Sequence, residues 1–253
     1  MFSLSGKTAL VTGGGRGIGY DIAFALTEQG ADLVLAGRTL HTLEKAAETL
    51  HEAYPERRIR CKTCDIGQPA TTAAMLQEMD REGIPLDILV NNAALHLSCP
   101  IEDMKEEDMQ RIIQTNISGL FAICKAALPL IKKRGKGKII NLTSFMSQIG
   151  RANIACYSAT KAAIRQITRV MAIEWAPYNI QVNGIAPGVI ATDFTAGLQQ
   201  NAPMVEYLKT RIPAGRWGGM GDMGGCAAFL ASDEADYVTG TTIVVDGGIL
   251  ASL

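Results

Sequence analysis

Short apolar runs with the length of strands alternate with helix-like segments from one end of this 253-residue chain to the other. Few arrangements accommodate that order. Lys7 to Thr12 reads as a strand, followed by a glycine loop and a helix from about Gly17 to Gln29. Asp32 to Ala36 reads as a second strand and Leu40 to Ala53 as a second helix. Ile59 to Cys64 is a third strand, and a helix near Gln68 to Arg81 leads to a fourth at Leu86 to Asn91. A long helical stretch covers about Lys105 to Lys132, before a fifth strand at Lys138 to Thr143. A second long helix runs from about Ala152 to Trp175. Ile180 to Ala186 and Thr242 to Val245 are the sixth and seventh strands. Repeated β-α-β units without a long linker predict one parallel sheet with helices on both faces, spanning residues 1–253 as a single domain. The segment from Thr192 to Trp217 breaks the alternation, with Pro203, Pro213 and several glycines. It reads as a lid over a site, or else as an ordinary surface helix pair.

Composition narrows the partners. Hydrophobic residues make up 47% of the chain and charged residues 19%, enough for a substantial core. Net charge is -1 and the pI is about 6.3, which favours neither nucleic acid nor an anionic membrane. The basic run Lys132 to Lys138 reads as a solvated helix C-terminus. The N-terminus lacks signal-peptide architecture and the apolar runs are too short and interrupted to span a bilayer, so a cytoplasmic protein is expected. Six cysteines are spread along the chain. Cys61 and Cys64 fall in a strand-like stretch without a second pair or a nearby histidine, so no metal site is expected.

The glycines concentrate where a ligand would need them. Strand Ala9-Leu10-Val11 runs into Thr12-Gly13-Gly14-Gly15-Arg16-Gly17-Ile18-Gly19, ahead of a helix. A pyrophosphate is held by exposed backbone N–H groups and the positive end of a helix, and glycines permit its close approach. At the end of the second strand the chain reads Leu35-Ala36-Gly37-Arg38-Thr39, with no acid to accept the ribose hydroxyls of NAD. Arg38 suits a 2′-phosphate, with Arg16 as a second cation, and the pair favours NADP(H) over NAD(H).

Tyr157 and Lys161 lie one helical turn apart on one face. Such a spacing is a common chance match by itself. A lysine ammonium, or a positive nicotinamide, would favour the phenolate of a tyrosine that otherwise ionises near pH 10. Ser144 stands thirteen residues earlier, just after the fifth strand, where its hydroxyl could hold a substrate oxygen. Asn116 falls inside a helix, a poor position for Asn and therefore one with a special role. His96, Met146, Gln148, Arg151, Asn153, Val189 and Trp217 are candidate pocket residues. His96 reads equally as a loop histidine or a substrate contact, and Arg151 equally as a carboxylate clamp or a cap on surface carbonyls. Met146 reads as an apolar wall and Cys156 as a packing residue.

Taken together, Thr12 to Gly19, Asn91-Asn92-Ala93-Ala94, Asn116, Ser144, Tyr157, Lys161 and Pro187-Gly188 make the chain resemble the short-chain dehydrogenase/reductase family over its whole length. That resemblance implies a doubly wound Rossmann fold with strand order 3-2-1-4-5-6-7 and a catalytic tetrad of Asn116, Ser144, Tyr157 and Lys161. It implies Asp65 and Ile66 near an adenine, Asn92 along the cofactor ribose with Ala93 and Ala94 beside it, and Ile190 with Thr192 by the nicotinamide amide. Ala94 departs from the glycine of most members. A homotetramer is implied as well, with the two long helices at its main interface. A narrower similarity to gluconate 5-dehydrogenases and related sugar-acid and polyol dehydrogenases lies in Phe2 to Lys7, Asn179 to Gly188, Pro213 to Gly218 and Val245 to Leu253. Leu95-His96-Leu97-Ser98-Cys99 lacks the basic residue that some of those enzymes carry there. The expected activity is oxidoreduction between a secondary alcohol and a ketone. The alternatives are a carbonyl reductase for 3-oxoacyl, cyclic or hydrophobic ketones, and a catalytically silent NADP(H)-binding sensor. A sugar epimerase or dehydratase would need a longer chain.

Overall fold

Burial dictates the sheet. In the computed structural model, which describes residues 2–252, the strands that are covered on both faces lie at its centre. They are β1 (Thr8–Thr12), β4 (Ile88–Asn91), β5 (Gly137–Leu142) and β6 (Ile180–Pro187), each buried along its whole length. β2 (Asp32–Gly37) is buried except at its ends. The polar β3 (Ile59–Thr63) and the short β7 (Thr242–Val245) are partly exposed and form the two edges. All pairs are parallel and the order is β3-β2-β1-β4-β5-β6-β7, as the resemblance implies. Strand order reverses between β1 and β4, and a crevice opens at such a point outside the C-terminal strand ends.

Two helical layers cover the faces. On one side α1 (Gly17–Glu28), α2 (Leu40–Ala53) and α9 (Gly224–Ala231) bury Ile22, Leu26, Leu43, Leu50 and Leu230 against the sheet. On the other, α3 (Pro69–Arg81), α5 (Gly119–Lys132) and α6 (Ala155–Trp175) bury Leu76, Met79, Ile123, Ala127, Ile164 and Met171. A buried amide chain pins the centre of the sheet: Asn91 donates to Asn141 Oδ1 at 2.8 Å, and Asn141 donates to Thr168 Oγ1 of α6 at 2.9 Å.

The structure departs from the sequence reading in its helices. The helix read as continuous over Lys105 to Lys132 is α4 (Glu106–Ile113), a π turn at Gln114–Ser118, and then α5. The segment after Thr192, read as a lid or as a surface helix pair, folds into a 3-10 turn (Asp193–Thr195), α7 (Ala196–Gln199) and α8 (Ala202–Arg211). Its Pro203 sits in the first turn of α8, where no N–H is required. The helix α9 has no counterpart in the sequence reading. Strand ends also shift by a residue or two, the largest change being a fourth strand that starts at Ile88 rather than Leu86.

The stretch Glu106–Lys133 contains an 18-residue window of mean hydropathy 1.2, long and apolar enough by composition to cross a membrane. The interrupted apolar runs did not suggest this. Its apolar residues Ile123, Cys124, Ala127 and Ile131 are covered by the core, and its start carries Glu106, Glu107 and Asp108.

Candidate active site

The site hangs from the C-terminal edge of the sheet. β1 ends at Thr12 and the chain turns through the glycines into α1. Gly13 (φ 66°) and Gly17 (φ 55°) adopt left-handed backbone that other residues rarely take. A Cβ on Gly13 would lie 2.8 Å from Asn92 Nδ2, and one on Gly19 would strike the carbonyl oxygen of Gly13. Arg16 at the start of α1 supplies no side-chain cap, so the positive helix end faces the crevice uncapped by a side chain. Thr12 Oγ1 joins this turn to the next strand end, donating to Val90 O at 3.2 Å and accepting from Asn92 N and Ala93 N at 3.0 and 3.1 Å. Asn92 Nδ2 donates to Thr12 O at 2.9 Å.

A cavity of about 1070 Å³ follows this edge. That exceeds the room one small ligand needs and suits a dinucleotide with a substrate beside it. Gly13, Gly15, Arg16, Gly17 and Ile18 line it, with Arg38, Asp65, Ile66, Asn92, Ala93, Ala94, Pro187, Gly188, Ile190 and Thr192. His96, Ser144, Met146, Arg151, Tyr157, Lys161 and Val189 line its far end. Gly19 and Asn116 lie behind the lining. Gln148, Asn153 and Trp217 do not line the cavity, contrary to expectation. Trp217 packs instead in an apolar cluster with Met146, Ile154, Val189, Leu208 and Ile212. Sequence reading missed Thr39, Thr42, Asp193, Leu198 and Asn201, which also face the cavity.

The two arginines differ. Arg38 is exposed at the end of β2 and has no carboxylate partner among the described residues. Arg16 reaches Asp193 Oδ2 at 3.5 Å, both side chains being largely exposed. A pair so long and solvated binds weakly. Arg16 thus faces both the glycine turn and the segment after Thr192.

At the reaction end, α6 presents Tyr157 and Lys161, and the turn after β5 presents Ser144. Ser144 Oγ accepts from Met146 N at 3.1 Å, which fixes its direction, and its side chain hydrogen-bonds Tyr157. Burial pushes Tyr157 up to about 12, opposed by the Ser144 hydrogen bond and then by the charge of Arg151. Burial lowers Lys161 to about 8, and its Nζ donates to Leu142 O at 2.6 Å. Lys161 Nζ stays 5.7 Å from the Tyr157 ring centroid. Among the groups that surround the phenol, burial outweighs the opposing pull of Ser144 and Arg151.

Asn116 sits in the π turn between α4 and α5. Its Oδ1 accepts from Leu95 N at 2.8 Å, and its Nδ2 donates to Leu95 O at 2.9 Å and to Thr160 Oγ1 at 3.1 Å. It therefore clamps the loop after β4 to α6. That loop carries His96, whose ring meets Tyr157 edge-on at 4.8 Å between centroids. Burial lowers the His96 pKa, and Arg151 adds to the effect.

A site of this form on a doubly wound parallel sheet belongs to an oxidoreductase. A family model described as enoyl-(acyl carrier protein) reductase matches residues 13–250. The chain is 43% identical to the 2-dehydro-3-deoxy-D-gluconate 5-dehydrogenase of Bacillus subtilis (strain 168), across 99% of this chain and 97% of that protein. It is 36% identical to the gluconate 5-dehydrogenase of Gluconobacter oxydans (strain 621H), across 100% of this chain and 98% of that one. A gluconate 5-dehydrogenase from Burkholderia cenocepacia J2315, crystallised in complex with NADP and tartrate, superposes with a TM-score of 0.95 at 36% identity, covering 100% of this chain and 98% of the other. The chain belongs to the short-chain dehydrogenase/reductase family.

Proposed function

We propose that the chain interconverts a secondary alcohol and a ketone on a sugar acid or polyol, with NADP(H) preferred over NAD(H). The observation that carries this reading is a single cavity with Ser144, Tyr157 and Lys161 at one end and Arg38, in place of an acid, at the other. The relatives named above act on gluconate-type acids, and the Burkholderia structure holds NADP, which supports the same choice.

When bound, the nicotinamide supplies or accepts the hydride. The protein's residues do the rest. Gly13, Gly15, Gly17, Ile18 and Gly19 shape the pyrophosphate turn, with Gly19 supporting it from beneath. Arg38, aided by Arg16, meets the 2′-phosphate. Asp65 and Ile66 border the adenine, while Asn92, Ala93 and Ala94 follow the ribose. Pro187, Gly188, Ile190 and Thr192 border the nicotinamide. Tyr157 transfers the proton to or from the substrate oxygen, and Ser144 holds that oxygen. Lys161, largely protonated below pH 8, stabilises negative charge that develops at Tyr157. Asn116 positions the loop that carries His96. Met146, His96 and Arg151 border the substrate. Residues 192–217 act as a lid within a single domain of residues 1–253.

A panel of sugar acids, polyols and cyclic ketones, assayed at 340 nm with both nicotinamides, tests the assignment. Gluconate and 5-ketogluconate are the leading pair. Inactivity on every sugar acid and polyol, with good rates on hydrophobic ketones, would overturn it.

A cytoplasmic homotetramer belongs to the same reading. The six cysteines are free thiols, which suits a reducing compartment. Phe121 of α5 and Val170 and Ile173 of α6 expose apolar surface, Ile173 to 75%. Such faces suit a symmetric interface between copies. Light scattering at micromolar concentration is expected to give the tetramer mass, and a monomer would reject the assembly.

A further inference from the structure

The cavity's charges divide between its two ends. Arg16, Arg38 and Asp65 border the part formed by the ends of β1, β2 and β3, and Arg111 of α4 also lines the cavity. The reaction end has two cations, Lys161 and Arg151. Lys161 is engaged, since its Nζ is buried and donates to Leu142 O at 2.6 Å. Arg151 is exposed and forms no ion pair among the described residues. Its charge nevertheless reaches both Tyr157 and His96.

The loop that carries Arg151 has a defined shape. Asn153 adopts left-handed backbone (φ 69°), and its carbonyl accepts from Cys99 N at 2.7 Å. This bond joins the Arg151 loop to Leu95–Cys99, which contains no lysine or arginine of its own. Phe145, Met146, Ile154, Val189 and Leu198 line the same cavity. A planar guanidinium matches a carboxylate with two parallel hydrogen bonds.

We propose that Arg151 receives the carboxylate of an open-chain hydroxy acid and thereby sets which carbon of the chain lies against Tyr157. The loop 95–99 would then need no basic residue, because the cation is supplied across the cavity mouth. This inference rests on the alcohol–ketone reading above and adds the determinant of substrate class.

D-Gluconate and D-gluconamide share a carbon chain and differ in the charge of its end. In the parent protein gluconate should be the better substrate with NADP⁺. Arg151→Met should lower the kcat/KM ratio of gluconate over gluconamide by about 10–100-fold, chiefly through KM, the range expected for losing a charge-assisted pair. Arg151→Lys should recover part of it. Calorimetric titration of gluconate into the NADPH-loaded protein reads the same contact without turnover, and Arg151→Met should weaken binding at least 10-fold. Equal losses on acid and amide, or unchanged gluconate affinity, would overturn the role of Arg151 while leaving the oxidoreductase reading intact. Arg151-dependent binding of gluconate without turnover of either compound would support Arg151 and sink the gluconate assignment instead.

Discussion

Tyr157→Phe is expected to lower turnover by ~10²-fold or more while dinucleotide binding persists. The hydroxyl is the group at stake. Its environment keeps it protonated, with burial holding the pKa at about 12 against the opposing pull of Ser144 and Arg151. A phenol in that state can give its proton to an oxygen held by Ser144 as negative charge develops there. Phenylalanine keeps the ring that packs edge-on against His96, so the cavity wall should survive the change. Steady-state rates beside NADPH binding, followed by fluorescence, separate the two effects. Near-normal turnover in a folded variant would remove Tyr157 from the proton transfer.

The second large effect concerns the cofactor. The parent should prefer NADP(H) by a factor on the order of 10–10³, because Arg38 is solvated and its pairing with a phosphate is screened. Gly37→Asp combined with Arg38→Ser should reverse that order. The new carboxylate would accept ribose hydroxyls and repel the 2′-phosphate. The backbone tolerates it, since a Cβ at Gly37 would meet nothing nearer than Leu43 Cδ2 at 3.3 Å, the tip of a flexible side chain. Arg16→Ala should cost less than Arg38→Ser, because Arg16 already has Asp193 as a partner. Comparing kcat/KM for both cofactors across these variants is decisive. A parent that favours NAD(H), or a preference indifferent to Arg38, would leave the arginine a solvated surface charge.

The parts of the fold that were legible in sequence are those where burial writes a local pattern. β5 and β6 carry Ile139, Ile140, Leu142, Ile180, Val182 and Ile185 because both faces are covered, and their limits fall within a residue of expectation. α9 wrote no such pattern. Gly224-Gly225-Cys226-Ala227-Ala228-Phe229-Leu230-Ala231 is apolar on every side and opens with two glycines, so no amphipathic stripe marks it. Its small residues make sense only against α1, where a Cβ on Gly224 would come within 2.5 Å of Ala25 Cβ. The site was legible in the same uneven way. Strand ends placed Ser144 and Arg38, and helical spacing placed Tyr157 with Lys161. No periodicity reports which way a loop side chain turns, so Trp217 and Asn153 were assigned to a cavity that neither lines. Asp193 could not be paired with Arg16 from sequence, since 177 positions separate them.

The π turn at Gln114–Ser118 acts as a change of phase. One residue beyond the α-helical count rotates everything that follows by about 100° around the axis. Before the turn, α4 buries only Ile112; after it, α5 buries seven residues, from Gly119 to Ile131. The two halves therefore answer to different neighbours while sharing one axis. Asn116 stands at the join, where the widened turn lets its amide grip the Leu95 backbone on both sides. Rotation of α5 onto the sheet and attachment of the loop beside Tyr157 are set by the same inserted residue. The chain cannot repack that helix without also moving the wall of its active site.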